Sequence, residues 1–227
     1  MPVTLPETAI EALRKIDTPT LSNAVEVLKV RPRHEGFTPW QIRCLFPELG
    51  RLCGFAVTAQ VETMTQSNEK QEAAFVELFH WVERAPKPVV VALQEVGPHP
   101  DHSAHCGEVM ATIFRRLGAA GLVTDGTVRD VAELRQLGFQ CFARGFVASH
   151  ANFRIVRVNI PVHIMGLPIR PGDVLHGDEN GLIALPNASP EALLEAAETV
   201  RKRERKLLDW VGREGFTAGD LAGRFLE

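Results

Sequence analysis

Within six residues, Asp125-Gly126-Thr127-Val128-Arg129-Asp130, this chain sets two carboxylates and a guanidinium on what reads as a tight turn. Arg129 is suited to hold a substrate carboxylate, because its planar fork offers two parallel hydrogen bonds. Asp125 and Asp130 supply hard oxygen donors of the kind taken by Mg²⁺ or Mn²⁺, ions that keep several waters and need few protein carboxylates. The same residues are equally compatible with a plain Arg–Asp salt bridge beside an Asp-Gly turn. Glu108 shifts that balance. It follows Gly107 at the start of a predicted helix, where free N–H groups and the positive end of the helix dipole attract anions. A carboxylate there can cap its own helix, or act as a second acid that reaches a cation through water.

The surrounding pattern predicts the elements that position these groups. Gly121-Leu122-Val123-Thr124 reads as a buried strand running into the turn, after a break at Gly118-Ala119-Ala120-Gly121, and Val131 to Leu137 reads as an amphipathic helix leaving it. Strand carboxyl ends of this kind are where open α/β folds form ligand sites. Upstream, helical spacing runs from Glu7 to Ile16, and Thr18-Pro19-Thr20 caps a second helix to about Leu28, with Pro19 in the tolerant first turn. Residues 31–50 read as a loop or lid, and Cys53 to Glu62 as the first strand of the sheet. Asn68 and Gln71 have capping-box spacing before a helix reaching about Arg84. Pro88 to Leu93 is an apolar strand without alternation, hence buried on both faces, and Gly107 to about Leu117 is helical.

After residue 138 the pattern changes to short strands: Phe139 to Ala143, Phe153 to Val158, Pro161 to Met165, Asp173 to Leu175 and Leu182 to Leu185. Asn180-Gly181 is a hairpin signal. Ser189-Pro190-Glu191 starts a long helix to about Trp210, and a short capped tail spans Thr217 to Phe225. The expected architecture is therefore α/β with mixed strands layered by helices, the second half packing its sheet against the first in a single compact domain.

Taken together, several segments resemble the family of 4-hydroxy-4-methyl-2-oxoglutarate aldolase and the regulator of ribonuclease activity A. The aldolases of that family show an acid, twenty intervening residues, then Arg-Asp, and Glu108 to Arg129-Asp130 has that spacing. Thr18-Pro19-Thr20-Leu21-Ser22-Asn23-Ala24, Phe142-Ala143-Arg144-Gly145 and Pro171-Gly172-Asp173-Val174-Leu175-His176-Gly177-Asp178-Glu179-Asn180-Gly181 match as well, so the resemblance covers roughly residues 15–205. It implies an α-β-β-α sandwich, similar to phosphohistidine domains, as one domain over residues 1–227. Helices over 7–28 and 190–212 would serve as packing or oligomer arms. It further implies a Mg²⁺- or Mn²⁺-dependent class II type aldolase releasing pyruvate from a 4-hydroxy-2-oxo acid, with oxaloacetate decarboxylation as a side activity. Asp130 would hold the metal or its water shell, and Glu108 would support it through water. Arg129 and the backbone around Gly107, Val109 and Met110 would hold the substrate. Polarisation of the 2-oxo group then leaves a stabilised pyruvate enolate. A homotrimer or hexamer with the site near a subunit boundary is also implied. The alternative within the family is a non-catalytic protein that binds and regulates a ribonuclease.

The chain departs from the family pattern in having Glu108 where the aldolases usually carry Asp, and Cys106 where bulkier residues are common. His99, His102 and His105 crowd one loop ahead of Glu108, where a three-histidine zinc site competes with solvated or substrate-facing side chains. His176, near the hairpin, reads as structural. The general acid/base is open between a metal-bound water and an acid from a neighbouring subunit, with Glu204 as one donor. No glycine-rich methyl-donor loop follows an early strand, which argues against a methyltransferase.

Composition narrows the partners. With 45% apolar and 23% charged residues the chain has the balance of an ordinary soluble domain rather than a disordered one. A net charge of −3 argues against a nucleic-acid surface, and the basic run Arg201-Lys202-Arg203-Glu204-Arg205-Lys206 reads as a solvated helix face. No apolar run approaches the roughly 20 residues of a membrane span, and the start of the chain lacks a secretory pattern; the expected location is the cytoplasm. Cys44, Cys53, Cys106 and Cys141 lack CxxC spacing and read as reduced thiols, Cys106 drawing interest because it adjoins the candidate site.

Overall fold

The fold was taken from a computed structural model, which describes residues 5–64 and 72–221. In chain order these form α1 (Glu7–Arg14), α2 (Thr18–Leu28), β1 (Arg43–Cys44), β2 (Leu52–Glu62), α3 (Glu72–Arg84), β3 (Val89–Glu95), β4 (Ala104–Cys106), α4 (Glu108–Arg116), β5 (Ala119–Thr124), β6 (Thr127–Val128), α5 (Val131–Leu137), β7 (Gln140–Ala143), β8 (Arg154–Val158), β9 (Val162–Ile164), β10 (Leu167–Ile169), β11 (Val174–Asp178), β12 (Gly181–Ala184) and α6 (Pro190–Val211). The proposed capping box of Asn68 and Gln71 lies outside the described residues, as does the end of the tail beyond residue 221.

One mixed sheet carries the architecture, in the order β1-β7-β5-β3-β2-β11-β12, with β8 added on β2. β2, β3, β5 and β7 run parallel, whereas β11 joins β2 antiparallel and β12 folds back on β11. Of the second-half strands, β7, β8, β11 and β12 therefore extend the sheet of the first half edge to edge, and only the β9–β10 hairpin forms a separate two-stranded sheet packed against it. The two ends of the order, β1 and β12, lie against each other, so the sheet curls almost into a barrel.

Alternation along the strands explains the layers, since successive side chains leave on opposite faces. Val89, Val91 and Leu93 of β3 face a core shared with α3, α4 and α5. Val90 and Ala92 face the interior of the curl, where they meet Leu52, Ala56, Val123, Phe142, Leu175 and Leu182 and the β9–β10 hairpin residues Val162, Ile164, Leu167 and Ile169. On the far side, Cys53, Phe55 and Ile183 pack against α1, α2 and α6. Helices thus cover both walls of a curled sheet, the α-β-β-α layering that the family resemblance implies, with β2 long enough to belong to both walls.

Boundary differences have local causes. The cap of α2 is Asp17, whose carboxylate accepts from Thr20 N, with Thr18 already inside the helix. β5 begins at Ala119 because those small residues, read as a break, pair with β3. The hairpin turn is Glu179-Asn180, not Asn180-Gly181: Asp178 pairs with Gly181, and its Oδ1 accepts from Asn180 N. The short β4, β6 and β10 carry too few residues for periodicity to reveal them.

Candidate active site at the carboxyl ends of β3 and β5

The parallel strands β3 and β5 end side by side, at Glu95 and Thr124, and the Asp125–Asp130 segment leaves from there. Thr127 and Val128 pair in parallel with Ala104 and Cys106, and Arg129 N donates to Cys106 O at 3.0 Å. This register brings the end of β4, and with it Gly107 and Glu108, against Arg129 and Asp130.

Asp130 occupies the left-handed region, φ 60° and ψ 54°. A non-glycine residue held there stores strain, of the sort that clusters at functional sites. It does not cap its own helix α5. Its Oδ2 instead accepts from Glu108 N at 2.9 Å, at the N-terminus of α4, whose own cap position is Gly107. That glycine is a spatial necessity: a Cβ on it would lie 2.4 Å from Asp130 Oδ2 and 3.0 Å from Arg129 Cγ and Nε.

Arg129 and Asp130 are each about one-third exposed, and Arg129 Nε stands 3.6 Å from Asp130 Oδ2, beyond hydrogen-bonding reach. The two side chains thus form an ion pair without a hydrogen bond, and the guanidinium N–H donors find no hydrogen-bond acceptor among the described residues, which leaves them available to an anion. The first-turn amides of Val109 and Met110 likewise find no acceptor within α4, and Val109 is 72% exposed. The Glu108 carboxylate is exposed and has no partner among the described residues. Gly107, Glu108, Val109 and Met110 thus lie next to Arg129 and Asp130 at the start of α4.

The donor set favours a largely hydrated cation. No cluster of three or more His, Cys, Asp or Glu side chains suited to a metal occurs among the described residues. That rules against the three-histidine arrangement: His99 and His102 are exposed, while His105 turns inward and is 2% exposed. One carboxylate with a free oxygen, Asp130, and a second acid close by in the chain fold, Glu108, fit Mg²⁺ or Mn²⁺, which retain water ligands. Asp125 is not part of this surface. It is buried, and its Oδ1 accepts from Glu95 N at 2.7 Å. Burial pushes its carboxyl up to about 6, against the pull of the Glu95 N–H and of His105. Cys106 is also buried, which drives its thiol up to about 12, so it stays unreactive.

Sequence reading missed a buried polar set directly beneath the turn. His105 Nε2 lies 2.8 Å from Glu95 Oε2, and its Nδ1 lies 2.6 Å from Thr124 Oγ1. Thr63 Oγ1 and Gly97 N donate to the same Glu95 carboxylate. Burial raises the Glu95 carboxyl, but hydrogen bonds from His105 and Thr63 outweigh it and leave the group below its ordinary value. The signal available was an acid closing an otherwise apolar strand. Residues of the three other segments that carried the family resemblance make structural contacts. Thr18 N donates to Asp178 Oδ2 and Thr18 Oγ1 meets His176 Nδ1 at 3.0 Å, tying α2 to β11. Arg144 cradles the turn, with N donating to Gly126 O and Nε to Asp125 O.

Comparison with known proteins followed the same residues. A family profile described as RraA-like, Aldolase/RraA, matches residues 18–184. A protein of Halalkalibacterium halodurans, provisionally named 4-hydroxy-4-methyl-2-oxoglutarate aldolase, is 34% identical over 111 residues, covering 47% of this chain and 53% of the relative. The 4-hydroxy-4-methyl-2-oxoglutarate aldolase of Thermus thermophilus is 33% identical over 85 residues, 37% of this chain and 52% of that protein. The match thus spans about half the length of these relatives. Among solved structures, an uncharacterized protein from Pseudomonas syringae pv. tomato superimposes with a TM-score of 0.74 at 23% identity, covering 96% of this chain and 93% of its own. RraAS2 of Streptomyces coelicolor, described as an unusual member of the RNase ES inhibitor RraA family, gives 0.71 at 20% identity, covering 90% and 98%. At these identities the structural likeness speaks for the fold.

Proposed function

This chain belongs to the RraA-like family, and on that premise we propose that it is a divalent-metal-dependent carbon–carbon lyase that releases pyruvate from a 4-hydroxy-2-oxo acid such as 4-hydroxy-4-methyl-2-oxoglutarate, with oxaloacetate decarboxylation as a side activity. The observation that carries this reading is the junction of Asp130, Arg129 and the α4 N-terminus. A strained aspartate, an arginine ion-paired to it but with no hydrogen-bond acceptor among the described residues, and first-turn helix amides meet at a glycine where a Cβ would clash.

In this reading Arg129 grips the substrate C1 carboxylate through two parallel N–H donors, a geometry lysine cannot reproduce. The amides of Val109 and Met110, at the positive end of the α4 dipole, hold further negative charge on the same substrate end. Asp130 would hold Mg²⁺ or Mn²⁺ through its free oxygen, with Glu108 acting through a water. The bound cation supplies Lewis-acid polarisation of the 2-oxo group. Arg129 and the helix amides fix the substrate so that the C3–C4 bond to be broken is oriented for cleavage. Cleavage also needs a base that takes the 4-hydroxyl proton as the C3–C4 bond breaks and an acid that returns a proton to C3 of the pyruvate enolate, roles open to a metal-bound water or an acid of a neighbouring subunit in a trimeric or hexameric assembly. Among the described residues no helix is long and apolar enough to cross a membrane, and a cytoplasmic location is part of the same proposal.

The test is pyruvate release from 4-hydroxy-4-methyl-2-oxoglutarate and from oxaloacetate by the purified protein, with added Mg²⁺ or Mn²⁺ and with EDTA. Release that depends on the metal supports the reading; equal rates in EDTA, or no release with either ion, overturn it. A protein that is inactive and metal-free yet captures a ribonuclease stoichiometrically would instead be a regulator of the kind the family also contains.

A further inference from the structure

Glu95 and His105 form a carboxylate–imidazole pair whose side chains are 1% and 0% exposed. Taking such a pair out of water is costly, and replacing it with apolar residues of similar volume is often neutral or stabilising. Its presence beneath a reactive turn calls for a role other than bulk stability. Its hydrogen bonds are complete: Glu95 Oε2 receives His105 Nε2 and Thr63 Oγ1, and Oε1 receives Gly97 N. Because Glu95 only accepts, a proton must reside on His105 Nε2.

The pair contacts the end of β5 and the start of the turn, and it lies within the strand that leads into α4. His105 is the central residue of β4, the strand that runs into Gly107 and Glu108. Its Nδ1 meets Thr124 Oγ1, and that hydroxyl also accepts from Gly126 N at 3.0 Å. Gly126 lies flat on the imidazole: a Cβ there would be 2.3 Å from His105 Cε1. The main chain of Glu95 in turn donates to the Asp125 carboxylate. On its outer edge the ring packs against Phe153, with centroids 5.9 Å apart.

We infer that Glu95, His105 and Thr124 form a positioning brace that sets Asp130 and Arg129 against Gly107 and Glu108, locking the two halves of the site into one register. The inference rests on the reading of Arg129, Asp130 and Glu108 as the reacting groups. None of the three brace residues touches substrate; each acts through the turn or through β4.

Thr124 offers the cleanest probe, because Thr124→Val removes the hydroxyl at nearly constant volume and Thr124→Ser keeps it. Glu95→Gln, which keeps the shape and removes the charge, is the second probe, and thermal melting checks that each variant is folded. The readouts are pyruvate release and NMR-detected amide exchange at Glu108 and Arg129, whose acceptors are Asp130 Oδ2 and Cys106 O and not the mutated groups. Thr124→Val and Glu95→Gln are expected to speed exchange at both amides and to lower kcat/KM, each by about tenfold or more, with Thr124→Ser close to wild type. Amides of β2 and β3 should stay protected in all three. Exchange at Glu108 and Arg129 unchanged in both Thr124→Val and Glu95→Gln overturns the brace. Loss of protection spreading through β2 and β3 does so as well, since it would mark a general structural role. If the wild-type protein releases no pyruvate with any metal, the lyase reading fails while the exchange measurement still decides the brace.

Discussion

Replacing Gly107 with alanine is the sharpest perturbation of this site, because it adds one methyl group without demanding a new backbone conformation. Gly107 has φ −138° and ψ −168°, extended geometry that any residue adopts. The Cβ would fall 2.4 Å from Asp130 Oδ2 and 3.0 Å from two Arg129 atoms. Carbon–oxygen contacts under 3.0 Å are not tolerated, so the carboxylate must retreat by at least about 0.6 Å, and the arginine stem with it. That retreat strains or breaks the charge-assisted bond from Glu108 N, a loss of about 2 kcal/mol in stability. A displacement approaching 1 Å at a reacting group commonly lowers turnover by about a hundredfold. Gly107→Ala should therefore unfold only a few degrees below wild type, as read by thermal melting, while kcat/KM for pyruvate release falls by about two orders of magnitude. A variant with wild-type turnover would show that the Asp130–Gly107 junction is not where the chemistry occurs. One that fails to fold would show that the strain cannot be absorbed locally, contrary to the exposure of both side chains.

Arg129→Ala and Asp130→Ala should each reduce kcat/KM by about a hundredfold or more, with Asp130→Ala also losing the response to added Mg²⁺ or Mn²⁺ in a metal-titrated assay. Asp125 titrates with its folded value raised from 3.8 to about 6, so the folded protein binds the proton more tightly and this group makes stability fall as pH rises between those values. Asp125→Asn should abolish that fall, gaining roughly 3 kcal/mol over wild type at pH 8 and nothing below about pH 4, as read by urea unfolding across pH. His176 works in the opposite sense. Burial lowers it from 6.5 to about 4, so its contribution is complete above pH 6.5 and is lost, by roughly 3 kcal/mol, as pH falls toward 4. In wild type the two slopes should largely offset each other near pH 5, and Asp125→Asn should expose the His176 slope in the same urea series.

The elements with long apolar runs were legible in the sequence. The run through β3 predicted a strand covered on both faces, and the periodicity of Val131–Leu137 fixed α5 to its exact ends. The six-residue turn and the helix start at Glu108 were legible from local strand, turn and helix signals, whereas the link between them, twenty residues apart, and the role of the amides after Gly107 came only from the family resemblance. Less was visible in the loop ahead of Glu108. Three histidines there looked interchangeable, yet His105 alone lies in a strand and turns inward, while His99 and His102 stay on the surface.

What the sequence determined by itself was therefore the chemistry on offer, an arginine and an aspartate at a strand end with a second acid at a helix start, since residue type and local periodicity are properties of neighbours. Tertiary structure alone decided how those groups are used. The parallel pairing of β4 with β6 brought Glu108 to Asp130, and the end of β3 supplied Glu95 to His105. The left-handed Asp130 aims its carboxylate at a helix other than its own. Each of these depends on the register of segments remote in the chain, which burial and hydrogen-bond completeness fix only once the whole sheet has closed.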